Sequence, residues 1–272
     1  HRSDEDGLHP DRRSLGQRPG QFMSDSNEAS GQKSRRLGSY TTARVSAGRI
    51  ERLERHAGRL RRDAERLGLP IPSRGEIEGV FLAAAQKAFG LGDGIIRVEW
   101  SHLPGSEPEL IPTARAIGPV PSEWSAVSSS ATHPGPGLRA NTKCVYLGAY
   151  DVGRMEIREA DFDEVLLFDA DGYLVEGAQS NFIVVTKDGQ VVMPDPALGP
   201  VEGLGLAIVR ESFPDVRFAK LSIEDVQSAR EFMSVNAVRG VVPILELNGS
   251  TIGSGEIGPW ARRLATPFAP DV

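Results

Sequence analysis

Lysine is scarce in this chain: among 272 residues there are only Lys33, Lys87, Lys143, Lys187 and Lys220. Any chemistry that needs a primary amine therefore has few candidates. Cysteine is scarcer still. The single Cys144 excludes an internal disulfide and a zinc site built from several thiolates. No apolar run approaches the roughly 18 residues of a membrane-spanning helix. The N-terminus lacks the apolar stretch of a secretory signal, so a cytoplasmic protein is expected. An excess of basic residues is missing too. The net charge is −6, which argues against a phosphate-backbone partner, and no nucleic acid is expected. Of the five histidines, His1 and His9 fall in a polar tail, and no metal site is expected.

What is present divides into a tail and two blocks. Residues 1–37 are polar and nearly free of apolar side chains, so they are expected to be a mobile tail that buries too little to offset its ordering entropy. Order is expected to begin with a strand, Ser39–Val45, and a turn at Ala47 and Gly48. Leu53, Ala57, Leu60, Ala64 and Leu67 then recur every three or four residues, the period of an amphipathic helix. Gly68 ends it, and Pro70 and Pro72 prevent it from resuming. Ser73 and Glu76 form a capping-box pattern opening a second helix to about Ala88. Strands are expected at Ile95–Ser101 and Thr113–Pro119.

A linker is expected at 119–124, dividing a small α/β domain, 38–118, from a larger one, 125–272. In the larger block, Ser125–Thr132 reads as a strand and His133–Gly137 as an irregular loop leading to Lys143. Asp169–Gly172 is a turn between strands Glu164–Phe168 and Tyr173–Glu176. The apolar run after Asn181, a Lys187–Gly189 turn and Gln190–Met193 make another hairpin. A helix over Glu202–Phe213, a strand over Val216–Lys220 and a short helix capped by Ser222 and Asp225 follow. Strands Phe232–Asn236 and Ile244–Leu247, a turn at Asn248-Gly249 and a helix Trp260–Ala265 close the chain. The fold class is α+β, mixed α/β.

Among the lysines, Lys33 lies in the tail, Lys87 on a helix, Lys187 in a turn and Lys220 at a strand end. Lys143 alone precedes an apolar run in a position suited to a cleft, and Glu176 follows 33 residues later at the end of a strand. A lysine with a buried carboxylate is what a pyridoxal phosphate (PLP) enzyme needs: the amine forms a Schiff base with the cofactor, and the acid holds the ring nitrogen protonated.

The stretch E-G-A-Q-S-N-F-I-V-V resembles the E-G-x-x-S-N-x-F signature of fold-type IV PLP enzymes, the class IV aminotransferase family. G-S-Y-T-T-A-R-V-S-A-G, H-A-G-R-L and S-V-N-A-V-R-G-V-V-P-I resemble three further motifs of that family, in its order. The similarity covers roughly residues 38–255, and within the family it is greatest to the aminodeoxychorismate lyase branch. The resemblance implies a two-domain fold whose larger domain carries a barrel-like sheet. It implies Lys143 as the Schiff-base lysine and Glu176 as the partner of the pyridine nitrogen. Arg59 is implied to hold the cofactor phosphate, with Leu204 and Gly205 at one phosphate-binding turn and Asn236 and Ala237 at a second. Tyr146 would offer a phenol to the ring hydroxyl.

On the first strand, Tyr40 and Thr42 share a face that is taken as lining the cleft, with catalytic roles implied for both, and Thr41 lies opposite. Arg97 and His102 are candidates for binding substrate carboxylates. The implied partners are a small-molecule amino substrate and a second copy of the chain in a homodimer. Three functions follow: a lyase yielding 4-aminobenzoate and pyruvate, a transaminase of branched-chain or D-amino acids, or a PLP-fold binding protein without catalysis. The chain departs from the family where G-L-G-L replaces the usual G-I-T-R, where the opening glycine-rich segment is degraded, and in the residues after Lys143.

Overall fold

The computed structural model describes residues 37–137, 139–145 and 147–269. The tail expected over 1–37 lies outside the described residues except for its last member, and so does Tyr146. The described residues form two sheets with helices packed against them.

The first sheet grows from strand β1, Leu37–Ser46, which turns into the two-residue β2, Arg49–Ile50. Helices α1, Leu53–Arg66, and α2, Arg74–Phe89, follow. The capping box forms as read: Ser73 Oγ accepts from the Glu76 amide and Glu76 reaches back to the Ser73 amide. Strands β3, Gly94–His102, and β4, Glu109–Arg115, complete the order β2-β1-β3-β4, all antiparallel.

One face of this sheet is apolar. Ala43, Val45, Ile96, Val98 and Trp100 meet Ala57, Leu60, Ala64, Ile77 and Phe81 of the two helices in one buried cluster. The opposite face carries Tyr40, Thr42, Arg97 and Glu99, because side chains alternate and Tyr40 pairs with Glu99 and Thr42 with Arg97. β4 starts four residues before the strand expected at Thr113–Pro119 and stops at Arg115. Pro112 is tolerated inside it because β4 is an edge strand, where a missing backbone donor costs no ladder bond.

The second sheet begins with β5, Trp124–Thr132, after the segment expected as a linker. Helix α3, Gly148–Ala160, packs on it, and β6, Glu164–Phe168, and β7, Leu174–Gly177, form the expected hairpin. Strands β8, Asn181–Val185, and β9, Val191–Pro194, form the next. Helix α4, Leu204–Ser212, is shorter at both ends than expected. β10, Arg217–Ala219, runs parallel to β9, and α5, Ile223–Gln227, carries the Ser222–Asp225 capping box.

Strands β11, Glu231–Asn236, and β12, Gly240–Leu247, follow, the latter four residues longer than read. β13, Ser250–Thr251, and helix α6, Pro259–Ala265, finish the chain. The main path is β10-β9-β8-β11-β12-β5-β6-β7. Its central strands are apolar on both faces because each face is covered. Phe182, Val184 and Phe232 join one cluster, while Ile183, Val185, Met233 and Val235 join another with Val209 and Leu264. Among the described residues, no helix is long and apolar enough to cross a membrane.

Candidate active site

Lys143 sits between β5 and α3, and the backbone fixes it against the first sheet. Its carbonyl accepts from the Tyr40 amide at 2.9 Å, the Val145 amide donates to the Gly38 carbonyl, and Cys144 bridges to Ser39. On the other side, the Lys143 amide donates to Asp63 Oδ2 at 3.3 Å. Asp63 lies on α1, one turn after Arg59, and is buried. A residue on the first sheet, one on its covering helix and the lysine loop of the second sheet are thereby tied together.

The side chain of Lys143 lies over Tyr40, with Nζ 4.8 Å from the ring centre, and Arg97 lies over the same ring with its guanidinium carbon at 3.6 Å. Arg97 also donates to Glu99 Oε2 at 3.0 Å. Burial works to raise the Tyr40 phenol, but Lys143, Arg97 and Arg154 outweigh it, and the net displacement is downward. Thr42 shares that face and is half-buried. Thr41 points the other way and bonds His56 Nδ1 at 2.6 Å. Burial, with help from Arg59 and Arg52, drives His56 down to about 3, so it is a neutral packing residue. His102 ends β3 on the face opposite Arg97 and makes no hydrogen bond or ion pair among the described residues; Lys143 is thus joined by Arg97 and not by His102.

Glu176 is buried near the end of β7. Its Oε1 accepts from the Tyr150 hydroxyl and from the Val201 amide at 2.9 Å, and His133 Nε2 lies 3.3 Å away. Asn181 Nδ2 approaches Oε2 at 3.4 Å and donates to the Val201 carbonyl at 3.0 Å. Burial first, and then the charge of Glu176, push the Tyr150 phenol well above its ordinary value, so it stays a donor. The turn that follows Glu176 is held by Glu164, which accepts from Ser180 Oγ at 2.6 Å and from the amides of Val165, Ala178 and Gln179. Only glycine fits at 177, since a Cβ there would lie 2.7 Å from the Glu164 carboxyl carbon.

Burial raises Glu164 to about 7, with its four donors offsetting only part of the effect. The folded chain therefore keeps a proton that the unfolded chain releases above the ordinary carboxylate range. The stabilisation is complete below about 4.5 and is lost as pH rises through about 7. The melting temperature of the wild type minus that of Glu164→Gln is expected to fall between pH 5 and pH 8. A difference independent of pH would contradict it.

The loop 199–203 joins these two regions. Val201 bonds Glu176, while the Glu202 carbonyl accepts from Arg59 Nη2. Arg66 bonds the Glu202 carboxylate at 2.8 Å and the Asn141 carbonyl at 2.9 Å. Arg59 is buried, and burial lowers it to about 10, still charged at neutral pH. Its Nε is buried with no hydrogen-bond partner among the described residues. A buried guanidinium N–H left without an acceptor is costly, and an anion would satisfy it.

Leu204 and Gly205 open α4 beside it, where free amides and the helix dipole favour negative charge. A Cβ on Gly205 would lie 2.7 Å from the Asn236 carbonyl carbon, so the start of α4 and the turn after β11 are in direct contact. That turn is built by Asn236 Oδ1, which accepts from the amides of Val238 at 3.0 Å and Arg239 at 2.8 Å, with Ala237 between. The two turns expected to bind phosphate are thus brought together. Gly205→Ala should force backbone to move, destabilising the fold by about 1–3 kcal/mol and weakening PLP binding; thermal denaturation with and without PLP measures both. Unchanged stability and affinity would contradict the contact.

Sequence reasoning did not find Asp63, His133, Tyr150 or Asn181 as parts of this site. Asn181 stood in the S-N of the signature, and Asp63 lay one helical turn from Arg59; those were usable signals. Tyr150 and His133 had none.

A lysine over a tyrosine, a buried carboxylate with one oxygen saturated and a buried arginine beside two anion-favouring turns fit an aldehyde cofactor that carries a phosphate and a pyridine nitrogen. The model of the family Amino-transferase class IV matches residues 38–247. A candidate branched-chain-amino-acid aminotransferase of Aquifex aeolicus is 27% identical over 125 residues, 43% of this chain and 40% of that protein. The chain thus spans well under two thirds of that relative's length. The branched-chain-amino-acid aminotransferase of Pseudomonas aeruginosa is 26% identical over 251 residues, 84% of this chain and 80% of that one. A candidate 4-amino-4-deoxychorismate lyase from Legionella pneumophila superposes with a TM-score of 0.77 at 16% identity, over 92% of this chain and 95% of that chain, and shares the fold. The chain belongs to the class IV aminotransferase family. Its fold is mixed α+β.

Proposed function

We propose that the chain is a lyase converting 4-amino-4-deoxychorismate to 4-aminobenzoate and pyruvate. The observation that carries this reading is the cationic face around Lys143, where Arg97 lies 3.6 Å over Tyr40 on the side away from the helices. A substrate bearing carboxylates suits that face, and Thr42 and Arg97 would hold them. The stretches T-T-A-R and V-N-A-V-R-G-V-V-P support the same choice.

Lys143, Glu176, Arg59, Leu204, Gly205, Asn236 and Ala237 would hold the cofactor. When bound, PLP withdraws electrons from the substrate's Cα. Arg59 and the two turns would hold the phosphate, and Glu176 would serve as the partner of the ring nitrogen and favour its protonated form. The Lys143 amine would be the group placed to take the proton from Cα, a task worth about 10²–10⁴-fold. Tyr40, held beside that amine, keeps it oriented and supplies a second proton-carrying group. The small-domain and large-domain division at 119–124 and a homodimeric assembly complete the proposal, the latter tested by the solution mass.

The curated relatives favour a second reading, a branched-chain amino-acid transaminase. In that case Lys143 would return the proton to the cofactor's carbon. Incubating the PLP-loaded protein with aminodeoxychorismate, and separately with leucine and 2-oxoglutarate, separates the two. Release of 4-aminobenzoate and pyruvate is expected. Glutamate formation without any 4-aminobenzoate would overturn the lyase reading in favour of the transaminase.

A further inference from the structure

Glu176 is held more firmly than a partner for one ring nitrogen requires, and the way it is held is asymmetric. Two donors converge on Oε1, the Tyr150 hydroxyl and the Val201 amide at 2.9 Å, and His133 Nε2, which hydrogen-bonds the Tyr150 oxygen at 3.3 Å, lies 3.3 Å from it. Among the described residues, Oε2 meets only the Asn181 amide nitrogen, at 3.4 Å.

The role of His133 follows from its other nitrogen. The Gly135 amide donates to Nδ1 at 3.1 Å, and a backbone N–H has no acceptor capacity, so Nδ1 must be bare. The neutral ring then carries its hydrogen on Nε2, which faces both Glu176 Oε1 and the Tyr150 oxygen, each at 3.3 Å. The loop His133–Gly137, which looked irregular in sequence, therefore fixes a tautomer. Tyr150 reaches the same oxygen from the first turns of α3, and its raised phenol remains a donor. Both residues are almost fully buried.

We propose that His133 and Tyr150 are positioning residues for Glu176, Tyr150 by donating to Oε1 and His133 by holding the Tyr150 hydroxyl, leaving Oε2 as the acceptor presented to the ring nitrogen of PLP. Donors to a carboxylate favour its charged form and fix its plane, as groups behind a metal ligand orient and tune it. With Oε1 occupied, the carboxylate stays anionic and the proton remains on the ring. With one donor removed, Oε2 competes for that proton and the carboxylate can rotate. The inference rests on the reading above, in which the ring nitrogen faces Glu176.

The test uses the full chain loaded with PLP labelled with ¹⁵N in the ring, in wild type, Tyr150→Phe, His133→Leu and His133→Gln, with Glu176→Gln as the reference for a lost carboxylate. The ¹⁵N chemical shift reports where the proton sits without reference to turnover. Expected is a protonated-ring signal in wild type and a displacement toward the Glu176→Gln signal in Tyr150→Phe and His133→Leu. Their kcat should fall about tenfold with KM little changed. His133→Gln, whose amide N–H can replace the imidazole donor, should restore the wild-type signal.

Wild-type signals in both Tyr150→Phe and His133→Leu would overturn the proposal. So would failure of His133→Gln to differ from His133→Leu. If Tyr150→Phe or His133→Leu does not fold, the comparison of His133→Gln with wild type decides: a wild-type signal supports the role and a displaced one contradicts it. Absence of the visible absorbance of Lys143-bound cofactor in the wild type would instead sink the reading on which the inference rests.

Discussion

Lys143→Ala is expected to abolish the visible absorbance of lysine-bound PLP and to lower turnover by at least about 10²–10⁴-fold. The variant removes both the covalent tether and the base that works at Cα. The fold should survive, because the backbone contacts that dock this loop, to Tyr40 and to Asp63, use the amide and carbonyl of residue 143 and not its side chain. Lys87→Ala, on the exposed face of α2, should leave absorbance and turnover intact. Absorption spectra of the two variants in excess PLP provide the comparison. A retained band in Lys143→Ala would mean that another amine captures the cofactor.

Glu176→Gln should cost about 10²–10³-fold in kcat, the range seen when one fixed electrostatic partner is lost from a site sheltered from water. Gln keeps the shape and one acceptor oxygen, so the Tyr150 and Val201 hydrogen bonds have a partner and stability should change little. What it loses is the charge that keeps the ring nitrogen protonated. The expected pattern is a large drop in kcat with PLP still bound through Lys143. Steady-state kinetics alongside the absorption spectrum check it, and unchanged kcat would show that the carboxylate charge is not used.

These two residues were legible in the sequence for different reasons. Lys143 stood out because lysine is rare and this one precedes an apolar run, and its role was then implied by the resemblance to the family's motifs. Glu176 stood out because a strand, a carboxylate and a glycine fall together in E-G-A-Q-S-N, and the structure gives that glycine a steric cause at the Glu164 carboxyl group. The helices α1 and α2 were legible because local rules determine them: apolar spacing for one and a capping box for the other. The start of β4 was not, because whether Pro112 is tolerated depends on the strand's place at the sheet edge, which is a property of topology.

The surroundings of the site were least legible. Asp63, His133 and Tyr150 come from α1, a loop after β5 and α3, and meet the site only through contacts 26 to 80 residues apart in the chain. Nothing in the neighbouring residues of Tyr150 distinguishes it from any half-buried aromatic of an amphipathic helix. His133 reads as a lone histidine before prolines until the Gly135 amide is seen to fix its tautomer. Arg59 was one of seven arginines between residues 49 and 66, and burial of the whole residue separates it from the rest.

The most direct test is chemical trapping. The PLP-loaded protein is reduced with borohydride, which fixes the lysine–cofactor bond, then digested and mapped by mass spectrometry. A single modified peptide with the added mass on Lys143 is expected. Label on Lys87, Lys187 or Lys220, or no label at all, would contradict the site described.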